Sequence, residues 1–189
     1  MALVTVVTVV MDSEDVPPGV WRYEGGLVYR DAKGRLDVLE WPDIRVLRDV
    51  YRIGHHVHTS PRVGSYTYRL LHDDGHKVEL NDSTFPRGQV CVLGAEIERE
   101  TAAIHLPRAL EAVRAGQRVE FGSFWVAPEG VGYGRTQVPW SELDTVDAKN
   151  GYIRLKCKDR MVNFPTTLRV GSTPNAHVLF ALVDRLNTA

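Results

Sequence analysis

One pattern is written twice in this chain. Its first copy runs Gly26-Leu27-Val28-Tyr29-Arg30, a turn, then Leu39-Glu40-Trp41-Pro42-Asp43-Ile44. The second runs Gly130-Val131-Gly132-Tyr133-Gly134, a shorter turn, then Val138-Pro139-Trp140-Ser141-Glu142-Leu143. In both, an acidic residue stands between the Trp and an aliphatic (Asp43, Glu142), and a further aliphatic follows (Leu47, Val146). Trp21 and Trp125 each precede the opening Gly by five positions. A Gly admits the backbone geometry of a tight turn, a short strand follows, and a Trp then anchors a core. Recurrence at this spacing points to two copies of one small module, because each repeat is a supersecondary unit.

The signals downstream of the two Trp residues also correspond. Tyr66–Leu71 and Lys77–Leu80 flank an Asp-Gly turn, and Leu143–Asp147 and Tyr152–Cys157 flank Asn150-Gly151. Both dipeptides favour hairpins because their residues tolerate positive φ. Each copy then closes on a helical pattern. In the first, Gly94–His105 carries Ile97, Thr101 and Ile104 at helical spacing; Pro107 is expected to interrupt it and start a second helix that stops at Gly116. In the second, Ser172 or Thr173 is the expected cap and Pro174 the first helical residue, with Val178, Leu179, Leu182, Val183 and Leu186 as one apolar stripe. The expected fold class is therefore α+β, mainly antiparallel β. Residues 1–115 would form the first module, with an N-terminal strand or arm, and residues 116–189 the second.

Composition narrows the function classes. The 189 residues carry a net charge of −1, with 43% hydrophobic and 25% charged residues. That balance is globular and gives no overall pull toward nucleic acid. Residues 1–115 hold 14 Lys+Arg against 17 Asp+Glu, and residues 116–189 hold 9 against 7. The second half is thus the better match for an anionic partner. Ala2–Val10 (ALVTVVTVV) is apolar but lacks a preceding Lys or Arg and is too short to span a bilayer. It reads as a β-strand or an exchangeable arm, able to pair with a sheet edge of its own chain or of another in a homodimer. A cytoplasmic location is the default expectation, or a peripheral one at the inner membrane face.

The order of these features resembles tandem PH-like (pleckstrin-homology-like) modules. It is similar to an uncharacterised bacterial family, a domain of unknown function, over about residues 20–187. The resemblance implies bent barrels, each capped by a C-terminal helix, that bind proteins, peptides or lipid headgroups and are rarely enzymes. Phosphoinositide-binding members place basic residues in the hairpin between their first two strands. Here those hairpins, Tyr23-Glu24-Gly25-Gly26 and Ala127-Pro128-Glu129-Gly130, are acidic or neutral.

Candidate sites are few. In Tyr152–Lys158, strand alternation sends Ile153, Leu155 and Cys157 inward and Arg154, Lys156 and Lys158 outward. That basic row suits phosphate or an acidic partner; equally, it is a solvated strand face that discourages edge pairing. His55, His56 and His58 invite a metal, but no Cys, Asp or Glu nearby completes a tetrahedral set. His72 and His76 flank a turn that needs no metal. No nucleophile elbow, phosphate-cradling Gly-rich loop, His-Glu-x-x-His or dinucleotide fingerprint occurs. The expectation is a non-catalytic binding or scaffold protein without cofactor or metal. A peripheral adaptor for anionic lipid is the second reading, and a small-ligand binder or enzyme with a pocket between the modules the third.

Overall fold

The computed structural model describes residues 6–7, 18–52, 64–86, 88–158 and 164–187. The chain is α+β: the described residues form four small antiparallel sheets and two helices. The first sheet joins β1 (Val6–Val7), β2 (Gly19–Tyr23), β3 (Gly26–Arg30) and β4 (Leu36–Glu40) in sequence order. A 3₁₀ turn, Trp41–Asp43, leads to β5 (Ile44–Arg52), which pairs with β6 (Gly64–His72), and β6 with β7 (Lys77–Asn81). Helix α1 (Gln89–Arg114) follows. The second half repeats this order. β8 (Val119–Phe121), β9 (Phe124–Ala127), β10 (Gly130–Tyr133) and β11 (Thr136–Pro139) form one meander. β12 (Leu143–Lys149), β13 (Tyr152–Cys157) and β14 (Phe164–Arg169) form the next, and α2 (Ala176–Asn187) closes the chain.

The repeated residues do equivalent work in the two halves. The Trp41 indole N–H donates to the carbonyl of Glu24 at 3.1 Å, and that of Trp140 to the carbonyl of Pro128 at 2.9 Å. The backbone N–H groups of Trp41 and Trp140 reach the next carbonyls, of Gly25 and Glu129. Each Trp thereby ties the end of one strand to the turn that opens the repeat. The opening glycines are obligatory for a steric reason: a Cβ on Gly26 would lie 2.0 Å from the carbonyl oxygen of Leu39, and one on Gly130 would lie 2.1 Å from that of Val138.

Among the described residues no sheet closes into a barrel, which corrects the bent-barrel expectation. The strand ladders stop where the chain turns a corner. Between β4 and β5 the backbone spends three residues in a 3₁₀ turn holding Pro42, which has no N–H for a ladder. Between β11 and β12 the turn at Trp140–Glu142 has the same effect, with the Glu142 N–H donating to Pro139. Each half is therefore two stacked antiparallel layers.

The helices depart from expectation in two places. α1 is a single helix running through Pro107. Pro107 and Ala103 both face solvent, so the carbonyl that loses its partner is hydrated and the ring has room. The helix ends as expected at Gly116, at φ +84, with the Gly116 and Gln117 N–H groups closing on Val113 and Ala112. At the start of α2, neither Ser172 nor Thr173 is the cap and Pro174 lies outside the helix. Val170–Ser172 form a 3₁₀ turn, and Asn175, at φ +51, turns the chain into Ala176. The apolar stripe is in place: Val178, Leu179, Leu182 and Val183 are buried and Leu186 packs against them.

Two apolar clusters result. One gathers Leu27, Trp41, Ile44, Leu70, Leu80 and others under the first half of α1. The other gathers Phe124, Val131, Leu143, Ile153, Leu155 and the face of α2. α1 serves both: Val90 and Ile97 belong to the first cluster, Ala109 and Val113 to the second. Each fully buried Leu or Ile contributes about 1.5–3 kcal/mol. Among the described residues no helix is long and apolar enough to cross a membrane.

Candidate functional site

The basic row on β13 sits where alternation puts it. Ile153, Leu155 and Cys157 are buried, Arg154 and Lys156 half-buried, and Lys158 exposed. Its charges are already answered from the neighbouring strand. Asp147 on β12 lies opposite Arg154 and accepts from Arg154 Nε at 2.7 Å and Nη2 at 2.6 Å. Lys156 Nζ lies 2.8 Å from the same carboxylate. These partners, Arg154 foremost, hold the Asp147 carboxyl below its usual range. Two of the three cations thus converge on one anion.

His55, His56 and His58 lie outside the described residues. His72 lies 3.0 Å from Asp74 and His76 lies 3.3 Å from Asp37, as surface pairs. Among the described residues no group of His, Cys, Asp and Glu could hold a metal ion. Cys157 is a buried free cysteine. Of the apolar N-terminal segment, Val6–Val7 pair with Val20 and Trp21 of their own chain; the rest of residues 2–10 lies outside the described residues.

The most structured polar site is where the two halves meet, between the free edge of β5 and helix α1. The segment Val170–His177 of the second half occupies that groove. Asn175 Oδ1 accepts from the Val46 N–H at 2.8 Å, and the Asn175 N–H donates to the Val46 carbonyl at 2.8 Å. That is the bonding a neighbouring strand would supply. Gly171 passes so close to β5 that a Cβ there would lie 2.5 Å from Asp49 Cγ. At the helix side, His177 Nε2 lies 3.0 Å from Thr101 Oγ1. The same hydroxyl lies 2.7 Å from the Ile97 carbonyl and 3.2 Å from that of Glu98.

Arg48 on β5 and Glu98 on α1 bridge the groove at 3.0 Å. Burial pushes Glu98 up, with Arg48 opposing. Burial, helped by Arg48 and His105, pushes His177 down to about 3. The space among Val46, Arg48, Glu98, Val170, Ala176 and His177 leaves no room for a water molecule. His, Glu and Thr side chains are gathered here in close packing.

The corresponding groove of the second half is open. It runs between β12, the edge strand of its sheet, and α2, and encloses about 150 Å³. Val146, Phe180 and Val183 form its apolar floor; Asp144, Thr145, Asp184 and Asn187 form its walls. Asn187 Nδ2 donates across it to the Asp144 carbonyl at 3.0 Å. A third concavity, of about 260 Å³, opens at the junction beside Arg45, His105, Arg108, Glu120 and Asn175. Its floor includes Ala109, Phe121 and Val178. His105 Nε2 is buried there without a partner, and burial lowers the His105 pKa. Arg45 pairs with Asp73 at 3.1 Å and Glu120 with Arg118 at 3.2 Å.

The family DUF6585, described as a family of unknown function, matches residues 1–189. The chain belongs to it. No curated protein and no solved structure matches. Membership agrees with the expected kinship to a family of unknown function.

The sequence signalled neither groove, since both are made by tertiary packing of an edge strand on a helix. One clue was present. Pro174-Asn175 ahead of an apolar stripe reads as a helix start, but an Asn at positive φ also exposes its amide and its N–H to a neighbouring backbone.

Proposed function

We propose that this chain is a non-catalytic binding protein of two PH-like modules that recognises an extended segment of a partner protein. The observation that carries this reading is the segment Val170–His177. It lies between an edge strand and a helix and satisfies the strand's backbone through Asn175 on Val46. The architecture thus already receives one segment of its own chain at a strand edge, through a pair of hydrogen bonds to a single strand residue, at the kind of edge that peptide-binding modules use. The order of four strands, three strands and a helix in each half supports the PH-like assignment. The closed packing around Thr101 and His177 supports a binding role over a catalytic one.

The test is to pan a random peptide library against the purified protein and measure the selected peptides in solution, beside sedimentation with anionic vesicles. Selected peptides that bind and compete with one another, with the protein absent from the vesicle pellet, support the reading. No solution binding by any peptide, together with salt-sensitive pelleting, overturns it in favour of a lipid adaptor.

A second reading has its own observation. The junction cleft brings Arg45, Arg108 and His105 together over an apolar floor, an arrangement suited to a small carboxylate or phosphate. Calorimetric titration with inorganic phosphate, on the wild type and on Arg108→Ala, tests it. Binding that the variant loses supports the small-anion reading, and identical heats in both proteins dismiss it.

A further inference from the structure

We propose that the outer face of the first sheet, carrying Trp21, Val28, Leu36 and Val38, is the surface on which two copies of this chain associate face to face about a two-fold axis. This surface lies on the opposite side of the sheet from the core and plays no part in the peptide-recognition reading.

Strand alternation divides β2, β3 and β4 into two faces. Val20, Leu27 and Leu39 belong to the first apolar cluster. Trp21, Val28 and Val38 are register partners on the other face, with Leu36 opposite Arg30 in the next row. None of these four apolar residues packs into either cluster. Trp21 and Val28 are half-buried, and Leu36 and Val38, on the edge strand, are 63% and 61% exposed. Contiguous apolar side chains on a solvent-facing sheet mark an interaction surface.

The second half supplies an internal comparison. Trp125 corresponds to Trp21, Gly132 to Val28 and, by register, Gln137 to Val38. Trp125 is 7% exposed and lies against Gly132, where a Cβ would fall 2.1 Å from its ring. The Arg118 guanidinium stands over the same ring at 4.5 Å. The second half thus seals this face with its own side chains. In the first half Val28 takes the place of that glycine, and Trp21 leans over Gly19 instead, where a Cβ would fall 2.6 Å from its ring. The module folds with Gly and Gln at these positions, so Val28 and Val38 answer to something outside it.

Charge selects the occupant. At one end of the sheet the β3–β4 connection carries Arg30, Lys33 and Arg35 against Asp31. At the other end stand Glu24, in the β2–β3 turn, and Glu40. A two-fold axis between the sheets and perpendicular to the strands sets the basic end of each copy over the acidic end of the other. The same rotation lays Val28 and Val38 over the matching residues of the second copy. The contact is therefore self-complementary, as an isologous interface requires. A two-fold axis along the strands would oppose like charges, and an anionic lipid surface would be repelled by one end.

Sedimentation velocity of the full chain over about 1–200 μM, a span that covers tight and weak association, should show monomer passing into dimer. Val38→Glu should raise the dissociation constant by roughly tenfold or more. Gln137→Glu, at the matching position of the second half, should leave it unchanged. Glu24→Lys/Glu40→Lys and Lys33→Glu/Arg35→Glu should each weaken self-association at low salt, because each then sets like charges together. Mixed one to one, these two variants should associate again, which damaged folds cannot do. A wild type that stays monomeric throughout overturns the proposal, and Val38-dependent pelleting of that monomer with neutral vesicles would give the face to lipid instead. A dimer that Val38→Glu leaves intact also overturns it, by placing the interface elsewhere.

Discussion

Asn175 closes two hydrogen bonds on Val46, one from its side chain and one from its backbone, across a gap of 129 residues in sequence. The pair stitches the second half of the chain to the free edge of the first. Removing the amide leaves a buried N–H on Val46 unsatisfied, which costs about 1–3 kcal/mol. Asn175→Gly should therefore lose about that much in urea denaturation. Asn175→Ala should lose roughly 1 kcal/mol more, because φ +51 is costly for a residue with a Cβ and no capping amide. Equal losses would mean that strain at this position is negligible.

Gly26→Ala and Gly130→Ala should destabilise alike. In each, the new methyl group would fall within about 2 Å of a carbonyl oxygen of the next strand, at Leu39 or Val138. Overpacking of this kind costs about 1–3 kcal/mol. Trp41→Phe should cost more than Trp140→Phe, because Trp41 is buried while Trp140 is only partly so. Denaturation midpoints of the four variants check both statements.

Stability should decline in acid through His177. Its folded-state pKa, about 3, lies far below the ordinary 6.5. The unfolded chain therefore takes up a proton that the folded chain refuses, and stability present above pH 6.5 is lost as pH falls toward 3. The limiting slope is about 1.4 kcal/mol per pH unit. His105, also lowered by burial, adds in the same direction. Glu98, raised by burial, opposes the trend at the acid end. Thermal melts between pH 7 and pH 4 should show a decline that His177→Gln flattens. An unchanged slope in that variant would assign the acid sensitivity elsewhere.

Asp147 holds the cations of β13. The wild type should stay in solution with anionic vesicles, and Asp147→Asn, which releases Arg154 and Lys156, should pellet with them at low salt. Addition of salt should reverse that pelleting, as for exposed charges. Pelleting of the wild type to the same extent would show that the carboxylate does not neutralise the row.

Local chemistry was legible in the sequence, and tertiary pairing was not. The Gly-to-Trp repeat, the hairpin at Asn150-Gly151 and the stripe on α2 depend on neighbours in sequence, and each stands where the pattern placed it. Alternation along Tyr152–Lys158 was right face by face. It could not show Asp147 opposite Arg154, because register is a property of two strands. Pro107 was read as a break because propensity ignores exposure, and on the solvent face the helix tolerates it. Ser172 or Thr173 reads as a helix cap and Pro174 as the first helical residue, since no local pattern records that this segment packs against the edge of another strand.

Helix α1 seats Ile97 in one cluster and Val113 in the other. A chain cut after Ala115 would strip the second cluster of buried Ala109 and Val113 and of Ala102, Leu106 and Leu110 packed beside them, and leave the far half of the helix with an apolar face in water. The copy beginning at Gly116 would start life with a hole in its own floor. The shared helix makes the dependence one-way: the second cluster borrows side chains from before residue 116, while the first draws its own from residues 20–104.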